Sequence, residues 1–332
     1  MMAHANVAVF IPHLGCPHQC SFCNQRSITG RQRAPLPEEV AGAAGSGALM
    51  AARSNGKTER EFAFFGGSFT AVPRAYMLAL LQAVQPYLQS GAYNGIRIST
   101  RPDAVDAEIL ALLKQYGVTA IELGAQSMQD GVLRRNGRGH TARQVAEAAE
   151  RISAAGFSLG LQMMTGLDGD TPEGCRETAV RLAALEPETM RIYPAIVMEG
   201  TELARRWRAG MYEPMSLECA VNLCAELLDF FEQRQIRVIR LGLHASPELE
   251  RDRLAGPWHP AFRELCESRR LRKQMDQLLR TVRRGPVVFQ VNPRSRSKAV
   301  GQKKSNVQYL QAMGYEPIFQ MNELIPENRI EL

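Results

Sequence analysis

Cys16, Cys20 and Cys23 fall within eight residues, separated by three and then two positions, in the run Gly15-Cys16-Pro17-His18-Gln19-Cys20-Ser21-Phe22-Cys23-Asn24. Three thiolates on one tight loop can each hold one iron of a 4Fe–4S cube, leaving the fourth iron open to a chelating cofactor. A zinc site is the alternative, but it needs a fourth protein ligand, which His18 or His13 would have to supply. The other four of the seven cysteines, Cys175, Cys219, Cys224 and Cys266, are scattered, the usual pattern of small buried hydrophobes. An odd count in a long chain argues for metal rather than a disulfide framework. A second chemical feature is Phe65-Gly66-Gly67-Ser68-Phe69. Paired glycines let backbone approach a ligand closely and turn N–H groups toward it.

Positioning these residues requires a scaffold, and the hydrophobic pattern describes one. Apolar runs at Val7–Ile11, Phe62–Phe65, Ile96–Ile98, Ala120–Leu123, Ser158–Met164, Thr189–Tyr193 and Arg237–Leu241 are short and bounded by Gly or Pro, as buried parallel strands are. Between them lie helical segments at Arg74–Leu88, Ala107–Tyr116, Ala142–Ala155, Glu173–Leu185 and Leu217–Arg234, with Thr141 and Thr171 placed as N-caps. Such alternation predicts a parallel sheet wrapped by helices, an α/β partial barrel, since seven strands do not fill an eightfold one. Chemistry in these folds sits at the carboxyl ends of the strands, where both motifs fall.

The rhythm breaks after residue 245, which divides the chain into a core, 1–245, and a C-terminal module, 246–332. Beyond the turn Gly256-Pro257-Trp258-His259-Pro260 the sequence predicts a helix from Ala261 to about Arg283, strands at Pro286–Val291 and Glu316–Met321, and partial helix over Ser297–Met313, a small α+β appendage. Of the 332 residues 45% are hydrophobic and 22% charged, as in ordinary globular proteins. The net charge of +6 is local in origin: Arg263 to Lys304 holds 13 Lys and Arg against 3 Asp and Glu. A basic block of this kind predicts a polyanionic partner, RNA first, with Arg272, Lys273, Lys298, Lys303 and Lys304 as the contacts. A solvated helix face is the plainer explanation of the same charges. No run approaches the roughly 20 apolar residues of a membrane span, and the N-terminus has no secretion pattern, so cytoplasmic residence without membrane contact is expected.

Cys-x-x-x-Cys-x-aromatic-Cys after the first strand, with Phe22 in the aromatic slot, and a glycine pair after the second resemble the radical S-adenosylmethionine (SAM) superfamily. Thr100-Arg101-Pro102-Asp103, Ile121-Glu122-Leu123-Gly124-Ala125-Gln126-Ser127, Asn136-Gly137-Arg138-Gly139-His140-Thr141, Tyr193-Pro194 and Gly200-Thr201 resemble the radical domain of Elongator's catalytic subunit, which modifies wobble uridine in tRNA. Pro257 to Leu265 is similar to the module that accompanies it. The resemblance implies a 4Fe–4S cluster on Cys16, Cys20 and Cys23, with SAM as cofactor. It implies cofactor contacts from Phe22, Gly66, Gly67, Ser68, Gln126, Arg138 and Gln162, with Tyr193 facing substrate. Gln126 and Gln162 could instead cap strand ends, Arg138 could pair with Glu122, and Tyr193 could fill the barrel mouth. Partners implied are tRNA and an electron donor such as flavodoxin or ferredoxin.

Two departures qualify the resemblance. Ser99 stands where related enzymes carry a glutamate. Elongator's subunit also continues into an acetyltransferase domain, whereas this sequence stops at Leu332, so the radical step is predicted better than the product, and a separate acyltransferase is one way to complete it. An oxygen-independent porphyrinogen oxidase-like enzyme shares the cysteine and glycine motifs, and a zinc-bearing RNA-binding protein is the non-enzymatic alternative.

Overall fold

The computed structural model describes residues 3–12, 14–16, 19–30, 33–52 and 58–332. Seven strands form one parallel sheet: β1 (Ala3–Ile11), β2 (Thr58–Gly66), β3 (Gly95–Thr100), β4 (Val118–Gln126), β5 (Ser158–Thr165), β6 (Thr189–Pro194) and, after the short β7 (Val197–Met198), β8 (Arg237–Leu241). Each lies beside its predecessor in the order β1-β2-β3-β4-β5-β6-β8. A sheet that advances one strand at a time, with helices between, curls into a half-barrel and leaves its carboxyl rim on one side. All seven predicted apolar runs are these strands.

Burial of alternate positions under the helices explains the apolar residues, while intervening positions such as Arg97 and Glu122 line the inner side. Phe62 and Phe64 on β2, Ile96 and Ile98 on β3 and Ile121 and Leu123 on β4 are all sealed from solvent. The connecting helices end where their caps dictate. Thr141 makes a reciprocal capping box with Gln144 at the start of Ala142–Ala154, and the Thr171 hydroxyl accepts from Gly174 N–H ahead of Pro172–Ala183. Two apolar cores result. The larger one lies between the sheet and its covering helices and reaches Phe262 and Cys266; the smaller begins at Leu271 and Met275. Both sets lie on one helix, Phe262–Leu278, which carries the chain from one core to the other.

Next to the turn Gly256–Pro260, β9 (Arg253–Ala255) pairs antiparallel with β7. The module is completed by β10 (Gly285–Val291) parallel to β11 (Tyr315–Met321), by β12 (Ile330–Glu331) against β10, and by helices Arg296–Val300 and Ser305–Ala312. Among the described residues no helix is long and apolar enough to cross a membrane.

Candidate active site

A cavity of about 770 Å³ opens inside the half-barrel, bounded by the loops at the strand ends. Cys16, Cys20, Phe22 and Cys23 from the loop after β1 line one end, with Gly66 and Gly67 beside them. The loop is held from several directions. The Ser21 hydroxyl donates to Asn136 Oδ1 at 2.8 Å, Ser21 N–H to the Asn136 carbonyl at 3.0 Å, and Leu203 N–H to the Ser21 carbonyl at 2.7 Å. Gln25 Nε2 reaches the Gly66 carbonyl at 2.7 Å, and Ser27 donates to Asp252 at 2.6 Å. Phe22 wedges between two small apolar clusters, touching the groups around Met164 and around Leu203. A three-thiol loop fixed this way is pre-organised to hold a ligand.

Burial raises the Cys16 thiol, with Cys20 adding to the effect, and burial together with Cys20 and Cys16 pushes Cys23 up to about 12. The three sulfurs therefore share one electrostatic environment. No group of three or more His, Cys, Asp or Glu among the described residues closes around a single ion. His13 and His18, the fourth ligands a zinc site would need, lie outside the described residues.

The glycine pair acts differently from the expectation of free N–H groups. Gly67 N–H donates to the Ile11 carbonyl at 2.7 Å. A Cβ on Gly67 would overlap the Leu14 carbonyl oxygen, and Gly66 has φ +108° with Ile11 backbone 2.8 Å from its Cβ position. The pair lets the end of β2 press against Ile11 and the thiol loop, and the Gly67 N–H is spent on β1. Ser68 is buried behind the cavity residues Thr100 and Arg101: its hydroxyl sits 2.8 Å from Thr100 Oγ1 and accepts from Arg101 N–H at 3.2 Å. That position makes the Ser68 side chain a brace between the loop and β3, beside the cavity residue Thr100.

Gln126, Arg138 and Gln162 do line the cavity. Gln126 has φ +68° at a register shift near the end of β4, a left-handed conformation that cost energy to adopt and re-aims its side chain. Gln162 Nε2 donates to its Oε1 at 3.2 Å. Arg138 does not meet Glu122. Its Nη1 donates to Cys20 Sγ at 3.2 Å and its Nη2 to the Gly124 carbonyl at 2.6 Å, while its buried Nε has no partner among the described residues. Arg101, clamped on Asp103 at 2.9 Å, donates to the Arg138 carbonyl at 2.6 Å and keeps its own buried Nη1 unpartnered.

Glu122 is instead the hub of a buried charge layer across four strands. Arg191 of β6 meets it at 2.9 Å and Arg97 of β3 at 3.4 Å, and Arg97 also binds Glu61 of β2 at 2.7 Å. Arg191 stacks on Phe65, and Tyr193 borders the cavity nearby. Sequence spacing could not find this layer, because its members are 25 to 69 residues apart.

The basic module is less available than its composition implied. Lys273 pairs with Glu226 at 3.1 Å, Lys298 with Glu267 at 2.7 Å, and buried Arg270 with Asp229 and Glu232 at 2.6 Å each. Arg272 lies over the Tyr309 ring, 4.4 Å from its centre. Arg270 and Lys273 dock the helix Phe262–Leu278 onto the acidic face of Leu217–Glu232, while Lys298 and Arg272 tie that helix to Arg296–Val300 and Ser305–Ala312. Lys303 and Lys304 stand exposed with positive φ, ahead of the helix Ser305–Ala312.

A profile of the radical SAM superfamily matches residues 10–182, and one of the radical SAM C-terminal domain matches 187–273. The chain belongs to the radical SAM superfamily. Within it, Elongator complex protein 3 of Danio rerio is 31% identical over 188 residues, 51% of this chain and 34% of that protein. An uncharacterized protein of Methanocaldococcus jannaschii is 27% identical over 71% of this chain and 74% of its own length. The tRNA uridine(34) acetyltransferase of Dehalococcoides mccartyi is 24% identical over 67% of this chain and 55% of that one. The chain thus spans about a third of the Elongator protein. The structure of archaeal Elp3 from Methanocaldococcus infernus superposes with a TM-score of 0.64 at 18% identity, covering 82% of this chain and 64% of that one, a likeness of fold.

Proposed function

We propose that this radical SAM protein reductively cleaves SAM and uses the resulting radical on an RNA base, with tRNA as the substrate class. The observation that carries the reading is the junction of three thiols, the Gly66–Gly67 cradle and two buried arginines with unpartnered donors at one end of a single cavity. That set fits a 4Fe–4S cluster with SAM: three sulfur ligands, close backbone approach, and spare cationic donors for a carboxylate. A bound cluster would supply the electron that cleaves SAM to methionine and a 5′-deoxyadenosyl radical able to take a hydrogen atom from substrate.

The protein's own residues bind, orient and exclude water. Cys16, Cys20 and Cys23 would hold the iron, and Arg138 at Cys20 would offset thiolate charge. Phe22 supplies an apolar surface for a flat base, while Gln126 and Gln162 offer amide groups to a ribose. Tyr193, near Arg191, would face substrate. An external one-electron donor of the flavodoxin or ferredoxin type is required. RNA is favoured by the names of the relatives and by the exposed basic end of the module.

The test is iron and sulfide content after anaerobic reconstitution, then 5′-deoxyadenosine formation from SAM with dithionite, with and without tRNA. About four irons per chain are expected, lost when Cys16, Cys20 and Cys23 become Ala, with cleavage stimulated by tRNA. Zinc in place of iron would sink the reading and leave a metal-stabilised RNA-binding protein.

A further inference from the structure

The cavity wall at β6 and β8 carries a charge that no carboxylate among the described residues balances. Arg191 and Arg240 are direct partners in the register of β6 and β8, two guanidinium side chains side by side. Only one of them is neutralised, since Arg191 is held by Glu122. Of the other cavity arginines, Arg237 is exposed at the start of β8, and the rest are accounted for. Arg97 pairs with Glu61, Arg101 with Asp103 and Arg263 with Glu267, and Arg138 lies on Cys20. Arg240 is half-buried, its Nε donates to the Gly242 carbonyl at 3.1 Å, and no carboxylate among the described residues pairs with it. Burial, Arg191 and Arg263 all work against its charge, with the Tyr193 hydroxyl the one nearby group in its favour. His244, from the loop after β8, borders the same part of the cavity.

A partly desolvated cation beside like charges is costly unless an anion joins it. SAM brings its own carboxylate, and the unpartnered donors of Arg101 and Arg138 lie at the thiol end to meet it. Arg240 is left for the second ligand. We propose that Arg240, with His244 beside it, binds a phosphate group of the substrate and so sets how far a nucleotide enters the cavity. This deepens the reading of the cavity as a nucleotide site and rests on it.

The test is arginine-resolved phenylglyoxal labelling of the reconstituted, SAM-loaded protein, read by mass spectrometry. The probes are inorganic phosphate, uridine 5′-monophosphate, uridine and acetate. Phosphate and uridine monophosphate should slow labelling of Arg240 several-fold, uridine and acetate should not, and exposed Arg143, outside the cavity, should serve as an unaffected control. Arg240→Gln should weaken uridine monophosphate binding about tenfold, the loss of one charge-assisted contact, and leave uridine unchanged, with Arg240→Lys intermediate. Labelling of Arg240 indifferent to phosphate and to the monophosphate overturns the proposal, as does protection by acetate alone. Protection by phosphate with no effect of tRNA on SAM cleavage would retain the anion site and reject RNA as the substrate.

Discussion

Gly67 and His140 show how single residues condition this site. A methyl group at Gly67 would occupy the place of the Leu14 carbonyl, and backbone cannot retreat as a flexible side chain can. Gly67→Ala should therefore displace the thiol loop, costing about 1–3 kcal/mol of stability as overpacking does, with reduced iron retention after reconstitution. Urea unfolding and iron analysis check the two parts. His140 packs beneath Arg138 with Nε2 3.2 Å from the Ala125 carbonyl, and burial, then Arg138, lowers its pKa to about 4. The folded state thus binds this proton less readily than the unfolded chain. The stability it contributes is complete above the ordinary histidine pKa and is lost as pH falls from there toward 4. At about pH 5 the loss should be roughly 2 kcal/mol, and His140→Gln should flatten that part of the pH dependence.

Among the elements, the strands that build the cavity are joined by charge as well as by apolar packing. Glu122 on β4 sits between Arg97 and Arg191, 3% exposed, in a layer reaching from β2 to β6. Truncating it strands Arg191 without a counterion. Glu122→Ala should cost about 3–5 kcal/mol in denaturant unfolding, as breaking a buried pair does. Glu122→Leu combined with Arg191→Met should recover much of that loss, because Arg97 keeps Glu61. Recovery would show that the layer is held by pairing and not by shape alone.

Across the whole molecule, the division of positive charge decides what the module can do. Arg270 and Lys273 hold the helix Phe262–Leu278 to Asp229, Glu232 and Glu226, and Lys298 is tied to Glu267 of that helix, whereas Lys303 and Lys304 face solvent. Replacing Lys303 and Lys304 by Glu should weaken tRNA binding and lower the slope of log K against log salt by about 2, without lowering the unfolding midpoint. Arg270→Met should do the reverse, reducing stability and leaving the salt slope alone. Filter binding over a salt series, beside thermal unfolding, separates the two roles.

Much of this was legible in the chain itself. The strands announced themselves because parallel strands buried under helices need short, β-rich apolar runs, and such runs need no partner to be recognised. Cys16, Cys20 and Cys23 were legible because a loop cluster is local, and Thr141 and Thr171 because a cap acts within three residues. What the sequence could not determine was which distant groups meet. Arg138 on Cys20, Ser68 turned to Thr100, and the docking of Lys273 and Lys298 onto acids of other helices depend on the curl of the sheet, which brings residues together without any regular spacing. The unbalanced charge on Arg240 belongs to the same class. A missing counterion is visible only when every neighbour has been placed, so tertiary structure alone decided it.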